Sequence, residues 1–299
     1  MLVTRADVEA AAARVTGWVR ETPVVDADGV VFKLEQLQHT GSFKPRGMFN
    51  RLLSTEVPEV GIVIASGGNA GLAAAFAAAR LGHRSTVFVP ETAPEAKVTR
   101  LRGIATEVRL AGSTYAEALE ASLAHEAATG AVALHAYDQI DVVAGQGTIA
   151  LELERQAPDL DTLLVAVGGG GLIGGIAAAF GDRVRIVAVE TEGCPTLHAA
   201  LAAGEPVDIE VGGVAADSLG ARRIGEVCWS VRSRIAGSLL VPDAAVAGAQ
   251  ARLWEVVRQV AEPGGATAYA ALTSGVYEPN PGERVGVLVC GANAPARAG

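Results

Sequence analysis

The sequence predicts an α/β fold: open, mostly parallel, twisted sheets flanked by helices. Three observations carry that prediction. Short apolar runs rich in valine and isoleucine alternate with longer alanine-rich runs of helical character, the order expected of βαβ units. Half of the 299 residues are hydrophobic and only 4% are aromatic, a composition that suits helices packed closely on a parallel sheet better than a β-sandwich. Two glycine-bearing turns, "SGGNAG" (66–71) and "GGGGLIGG" (168–175), each follow a strand-like run, where open α/β sheets hold their ligands.

Taken in order, "MLVTRADVEAAAARVTGW" reads as an amphipathic helix. Thr4 with Asp7 three residues on is a capping-box-like start, and Val8, Ala11, Ala12 and Val15 share one face. A helix-like run begins near Gly47. "GIVIAS" (61–66) is a buried strand, and Asn69–Leu81 is an Ala-rich helix closed by Gly82. "STVFVP" (85–90) is the next strand, "APEAKVTRLRG" (93–103) a helix ending in glycine, "TEVRLAG" (106–112) a strand and Thr114–Thr129 a long helix. "VALHA" (132–136) is read as a strand, "VVAGQGTIALELERQ" (142–156) as a helix, and "TLLVAV" (162–167) and "VRIVAVE" (184–190) as strands around the glycine-rich turn and its helix. No repeat and no low-complexity linker interrupts this order.

Charge and composition exclude several classes. Net charge is −9 without a basic cluster, which excludes nucleic acid and anionic membranes as expected partners. No apolar run approaches the ~20 residues of a membrane span. Asp7, Glu9 and Arg14 break up the N-terminus, so no secretory signal is expected there. Cys194, Cys228 and Cys290 have no CxxC spacing, which fits free thiols in a reducing cytoplasm.

Four consecutive glycines before a helix expose a row of backbone N–H groups at its positive end, an anion cradle suited to phosphate. A second reading of the same stretch stays open. Gly169, Gly171 and Gly174 satisfy G-x-G-x-x-G, and Glu190 ends the next strand roughly where a ribose-binding acid belongs in a dinucleotide site. Against it stands "HTGSFKPRGMFN" (39–50), where Lys44 is boxed in by small residues, Phe43 and Pro45. A dinucleotide fold gives no reason for that setting. An isolated lysine together with a phosphate cradle suggests pyridoxal 5'-phosphate, whose aldehyde bonds a lysine amine.

These residues also carry a resemblance across nearly the whole chain. "KLEQLQHTGSFKPRG", "SGGNAGLAAAFAAARLG", "GQGTIALEL", "VGGGGLIGG", "AEPGGATAYAAL" and "VCGAN" resemble, in order, segments of the serine/threonine dehydratases (ammonia-lyases). These are pyridoxal-phosphate enzymes of the tryptophan-synthase-β-like class, fold type II. The resemblance implies a large cofactor-binding domain of residues 1–40 and 141–299, a small domain of residues 41–140, and a homodimer. It implies that Lys44 bonds the cofactor, Phe43 stacks on its ring and Asn69 bonds the ring's phenolic oxygen. Gly168, Gly169, Gly170, Gly171 and Leu172 would hold the phosphate, and Cys290 would contact the ring nitrogen. Ser218 or its neighbours would cover the other ring face. Ser66, Gly67, Gly68 and Asn69 would hold a small amino-acid substrate. The family often binds a cation near the phosphate loop, which puts Glu190, Cys194, Thr196, Leu219 and Ala221 near those positions. A carboxylate with carbonyl oxygens suits potassium or a hard divalent ion.

The resemblance implies β-eliminating deamination of L-serine or L-threonine to a 2-oxo acid and ammonia, with Lys44 as the base at Cα. It gives His39 no acid role, and all five histidines are expected to be structural or solvated. A protonated thiol at Cys290 carries no negative charge, so the ring nitrogen is expected to stay neutral, which favours elimination over transamination. Gly67 stands where racemases of the family place a serine, so racemisation is expected to be weak. A β-replacement or racemase member of the same fold stays open beside this reading, as does a nicotinamide-dependent oxidoreductase.

Overall fold

The computed structural model describes residues 2–293. Along the chain the elements are α1 (Arg5–Val15), β1 (Val24–Ala27), β2 (Val30–Leu34), α2 (Pro45–Leu53), β3 (Ile62–Ala65), α3 (Asn69–Arg80), β4 (Ser85–Val89), α4 (Glu95–Arg102), β5 (Glu107–Leu110), α5 (Tyr115–Thr129) and β6 (Val132–Ala133). There follow α6 (Ile140–Gln156), β7 (Thr162–Ala166), α7 (Gly171–Phe180), β8 (Arg185–Thr191), α8 (Thr196–Ala203), α9 (Ala216–Leu219), α10 (Glu226–Ser230), β9 (Ile235–Val241), α11 (Asp243–Val257), α12 (Pro263–Thr273) and β10 (Val285–Val289).

The expected α/β architecture is present as two sheets, six-stranded in the order β1-β2-β10-β7-β8-β9 and four-stranded in the order β5-β4-β3-β6. Among the strand pairs of the described residues only β1–β2 is antiparallel; the rest run parallel. The smaller sheet draws on residues 62–133, while the larger draws on residues 24–34 and 162–289. Strands β3, β4, β7 and β10 are buried along their whole length, as strands covered on both faces must be.

The expected cap of α1 is complete: Asp7 N–H donates to the Thr4 hydroxyl and the Asp7 carboxylate accepts from Thr4 N–H. Val8, Ala11 and Val15 are buried, but Ala12 is only half-buried. One element is shorter than expected. β6 covers only Val132–Ala133; Leu134 N–H still donates to the Val63 carbonyl (2.9 Å), and the rest of "VALHA" leaves the sheet. Its backbone is recruited elsewhere: His135 N–H donates to the Gln139 side chain, and the Ala136 carbonyl turns toward Lys44.

β10 lies between β2 and β7, pairing Val289 with Leu34. This register brings the chain just after β10 beside the loop that leads into α2. Phe43 N–H donates to the Cys290 carbonyl at 3.1 Å, and Ser42 bridges Gly291. Arg46, two residues past Lys44, is fully buried between Glu35 (2.8 Å) and Glu152 (2.6 Å), and buried Lys33 shares Glu152. Two cations and two carboxylates thus neutralise one another inside the protein and pin the start of α2.

Candidate active site

The cleft lies at the carboxyl ends of β7 and β10, where the loop after β3 faces them. Phe43, Lys44, Asn69, Gly168, Gly169, Gly170, Gly171, Leu172 and Cys290 all line it, and so does Ser218. Every cofactor residue expected from sequence therefore meets in one place. Tyr137 and Glu262 line it too and were not expected there.

Lys44 sits at the N-cap of α2, whose first residue is Pro45, so no backbone N–H there competes for a partner. Its amine donates to the Ala136 carbonyl at 2.7 Å and lies 4.9 Å from the centre of the Phe43 ring. Burial pushes the amine down to about 8, partly opposed by Cys290 and Glu262.

The glycine loop turns through Gly170, at φ +87°, into the N-terminus of α7. Among the described residues, the N–H groups of Gly168 to Leu172 donate to no protein acceptor. A Cβ on Gly169 would lie 2.3 Å from the Tyr137 ring, and one on Gly170 would lie 2.5 Å from the Cys228 sulfur. The glycines therefore serve close packing behind the loop as well as an open row of donors in front of it.

The loop after β3 brings Gly67, Gly68 and Asn69 to a second cavity that adjoins the first, with Leu72, Lys97, Arg100, Asp217, Glu262 and Asn293. Ser66 stands outside the lining of both cavities, and its hydroxyl accepts from Gly68 N–H at 3.3 Å. Asn69 donates to Glu262 at 2.7 Å and accepts from Asn293 at 2.7 Å.

Cys290 is buried and donates to the Gly264 carbonyl at 3.5 Å. Burial, with Glu262 nearby, pushes its thiol up to about 12, so it is protonated. Burial likewise pushes the Glu262 carboxyl up to about 7, opposed by the bond from Asn69.

The residues expected around a cation gather at the end of β8. Glu190 is fully buried and accepts from the N–H groups of Leu197 (2.7 Å) and His198 (2.8 Å) and from the Ser238 hydroxyl (2.6 Å). It thereby caps α8, and burial pushes its carboxyl up to about 7 against those bonds. Thr196 donates to the Ala221 carbonyl (2.8 Å), Ala221 N–H to the Leu219 carbonyl (2.9 Å), and Cys194 to the Gly212 carbonyl (3.3 Å). Both Glu190 oxygens are engaged, which speaks against a ribose-binding role.

Tyr137 escaped the sequence reading as a lone polar residue between elements, whereas Glu262 and Asn293 lie inside the family-like segments "AEPGGATAYAAL" and "VCGAN" without having been given a role. A further local signal was Pro263, which marks a helix start and makes Glu262 its N-cap.

A family model described as pyridoxal-phosphate dependent enzyme matches residues 15–291. The chain is 35% identical over 270 residues to an L-threonine ammonia-lyase of Thermotoga maritima, covering 88% of this chain and 67% of that one. It is 35% identical over 300 residues to a phenylserine dehydratase of Ralstonia pickettii, covering 95% and 91%. It spans about half to two thirds of the length of the threonine ammonia-lyases and dehydratases that it matches. Among solved structures, maize serine racemase superposes with a TM-score of 0.92 at 29% identity, covering 98% of this chain and 94% of the other.

Proposed function

The chain belongs to the family of pyridoxal-phosphate-dependent enzymes, and from that premise we propose that it is a lyase that deaminates L-serine or L-threonine to a 2-oxo acid and ammonia. The observation that carries this reading is the Lys44 amine, pushed down to about 8, in one cleft with a row of unpaired backbone donors. These residues fit the cofactor. The N–H groups of Gly168 to Leu172 would hold its phosphate, Lys44 its aldehyde carbon, Phe43 one face of its ring and Cys290 its ring nitrogen. When bound, the cofactor supplies an electron-withdrawing ring conjugated to the substrate nitrogen.

The protein's own part is binding and proton handling. Gly67, Gly68 and Asn69 bind the substrate beside the cleft, with Ser66 behind them. Lys44, as the neutral amine, takes the Cα proton; its lowered affinity for protons keeps that form available near neutral pH. The protonated Cys290 thiol offers the ring nitrogen a weak neutral donor and no counter-charge, which favours elimination over transamination. In the adjoining cavity Leu72 is the only apolar side chain beside Lys97, Arg100, Asp217, Glu262 and Asn293. That wall supports a small polar β-hydroxy amino acid over a phenyl-bearing one. Serine and threonine differ there by one methyl group, worth only ~1–3 kcal/mol of discrimination.

Three further readings go with this one. A potassium or hard divalent ion near Glu190 draws only on the nearness of Thr196, Leu219 and Ala221, since both Glu190 oxygens and the Leu219 and Ala221 carbonyls already accept from protein donors, and a melting temperature unmoved by potassium or magnesium after chelation would count against it. A homodimer draws support from exposed Trp254 and Val260, and sedimentation as a monomer at micromolar concentration would remove it. The separate sheets support residues 41–140 as a small domain, and the buried unpaired cysteines support a cytoplasmic setting.

The main test is direct. Protein incubated with pyridoxal phosphate should turn yellow, bleach with borohydride, and release ammonia from L-serine or L-threonine. Lys44→Ala should fold, as judged by circular dichroism, and lose that release. Near wild-type turnover by the variant would remove Lys44 from its role.

A further inference from the structure

A directed hydrogen-bond relay crosses the mouth of the two cavities. Arg100, exposed on α4, donates to Asn293 Oδ1 at 2.7 Å. Asn293 Nδ2 donates both to the Thr40 carbonyl (2.6 Å) and to Asn69 Oδ1 (2.7 Å). Asn69 Nδ2 donates to Glu262 Oε1 at 2.7 Å. The two ends of this chain admit only one direction. A guanidinium can only donate and a backbone carbonyl can only accept, so Asn293 has its oxygen toward Arg100 and its nitrogen toward Thr40. Its second N–H must then meet an acceptor, which puts the oxygen of Asn69 toward it and the nitrogen of Asn69 toward Glu262. Thr40 holds its carbonyl in place with φ +61°, a conformation uncommon for a non-glycine residue, in the loop that leads to Lys44.

We propose that Arg100, Asn293 and Glu262 are positioning residues that fix which way the Asn69 amide points, so that Asn69 presents a free N–H, and never its oxygen, to an acceptor on the cofactor. An amide has two N–H groups and one oxygen. Asn293 occupies the oxygen of Asn69 and Glu262 takes one N–H, which leaves one donor for the cleft. With the relay intact, the group that Asn69 recognises is an oxyanion or other acceptor. With it reversed, the amide oxygen would face that acceptor and repel it. This inference rests on the site binding pyridoxal phosphate.

The test uses the full chain titrated with pyridoxal phosphate, reading its dissociation constant and the absorption maximum of the bound form at fixed pH. Asn293→Asp keeps the shape but turns a donor into an acceptor facing Asn69. It should weaken binding by roughly tenfold or more, the scale of one buried hydrogen bond lost, and should move the absorption maximum. Arg100→Met, on the surface and harmless to folding, should shift both in the same direction by a smaller factor. Glu262→Leu should weaken binding like Asn293→Asp, whereas Glu262→Gln, which can still accept through its amide oxygen, should keep most of the wild-type affinity although its lost charge also acts on Lys44. Unchanged affinity and spectrum in folded Asn293→Asp would overturn the relay. So would a Glu262→Gln variant that binds the cofactor as weakly as Glu262→Leu, because charge rather than direction would then set the affinity. Wild-type protein that never takes up the cofactor would overturn the reading of the site and this inference with it.

Discussion

The amine of Lys44, at the head of α2, is held at 2.7 Å by the carbonyl oxygen of Ala136, just beyond the last strand of the four-stranded sheet. Its hydrogen-bond partner is neutral. A carboxylate in that place would lock the lysine as an ammonium; a carbonyl holds its position without doing so, and burial then pulls its proton affinity down.

Cofactor uptake by the apo-protein should therefore rise with pH and level off early. The neutral amine is the form that reacts, and its fraction grows as pH climbs through about 8. Between pH 7 and 9 the uptake rate should grow about tenfold and then flatten, as titration one unit either side of the midpoint requires. Stopped-flow absorbance against pH measures this. A rate still climbing steeply at pH 10 would mean that Lys44 keeps an ordinary lysine proton affinity.

Crowding the glycine loop should release the cofactor. Gly170 has a left-handed backbone, and any Cβ there meets Cys228 and Ile224. Gly170→Val should weaken pyridoxal-phosphate binding by a factor of ten or more, from about 1–3 kcal/mol of backbone strain at the cradle. Gly170→Ala should do so to a lesser degree, which keeps the test open if the valine variant does not fold. Unchanged dissociation constants in both would show that the phosphate lies elsewhere.

Elimination should greatly outrun racemisation, and a single substitution should narrow the gap. Taking a proton from one face of Cα and returning it to the other needs two bases, and Gly67 has no side chain. There is room for one: the nearest atom to a Cβ at Gly67 is Val89 Cγ1, at 3.5 Å. Gly67→Ser should fold normally and raise D-serine formed per pyruvate from L-serine by about tenfold, a modest share of what a positioned acid–base group contributes. Chiral chromatography gives the ratio. Abundant D-serine from the wild type would show that a second base is already present.

Removing Arg46 should cost more than its distance from the chemistry suggests. Arg46→Met leaves Glu35 and Glu152 buried with Lys33 as their only cation. A buried pair broken on one side costs about 3–5 kcal/mol, read as a fall in the urea midpoint. A loss under ~1 kcal/mol would mean that water or a rotated side chain replaces the guanidinium.

Much of this was legible in the sequence where function and period coincide. Strands β3, β4, β5, β7 and β8 alternate with helices of clear composition, and Lys44 and the glycine loop stand out because their settings are costly without a ligand. What followed residue 190 was less legible. β10 is a short apolar run whose sheet neighbours β2 and β7 lie far back in the chain, so local pattern could not seat it between them. Glu190 shows the other limit. A carboxylate at a strand end looks like a ligand-binding acid in one dimension, and only the fold shows that it caps the helix that follows.

The central seat of β10 has a consequence for biosynthesis. The four-stranded sheet is contiguous in the chain and can form while the ribosome is still translating. The six-stranded sheet cannot: until residues 285–289 emerge, β2 and β7 face each other as open edges with nothing between them. The nascent chain should therefore carry a finished small sheet beside an unfinished large one, with Lys44 and Cys290 meeting only after residue 290 has emerged. Chains stalled on ribosomes with residue 283 as the last to emerge should show β3 to β6 protected from protease and β2 cut. Equal protection of both sheets at that length would show that β2 finds β7 without β10.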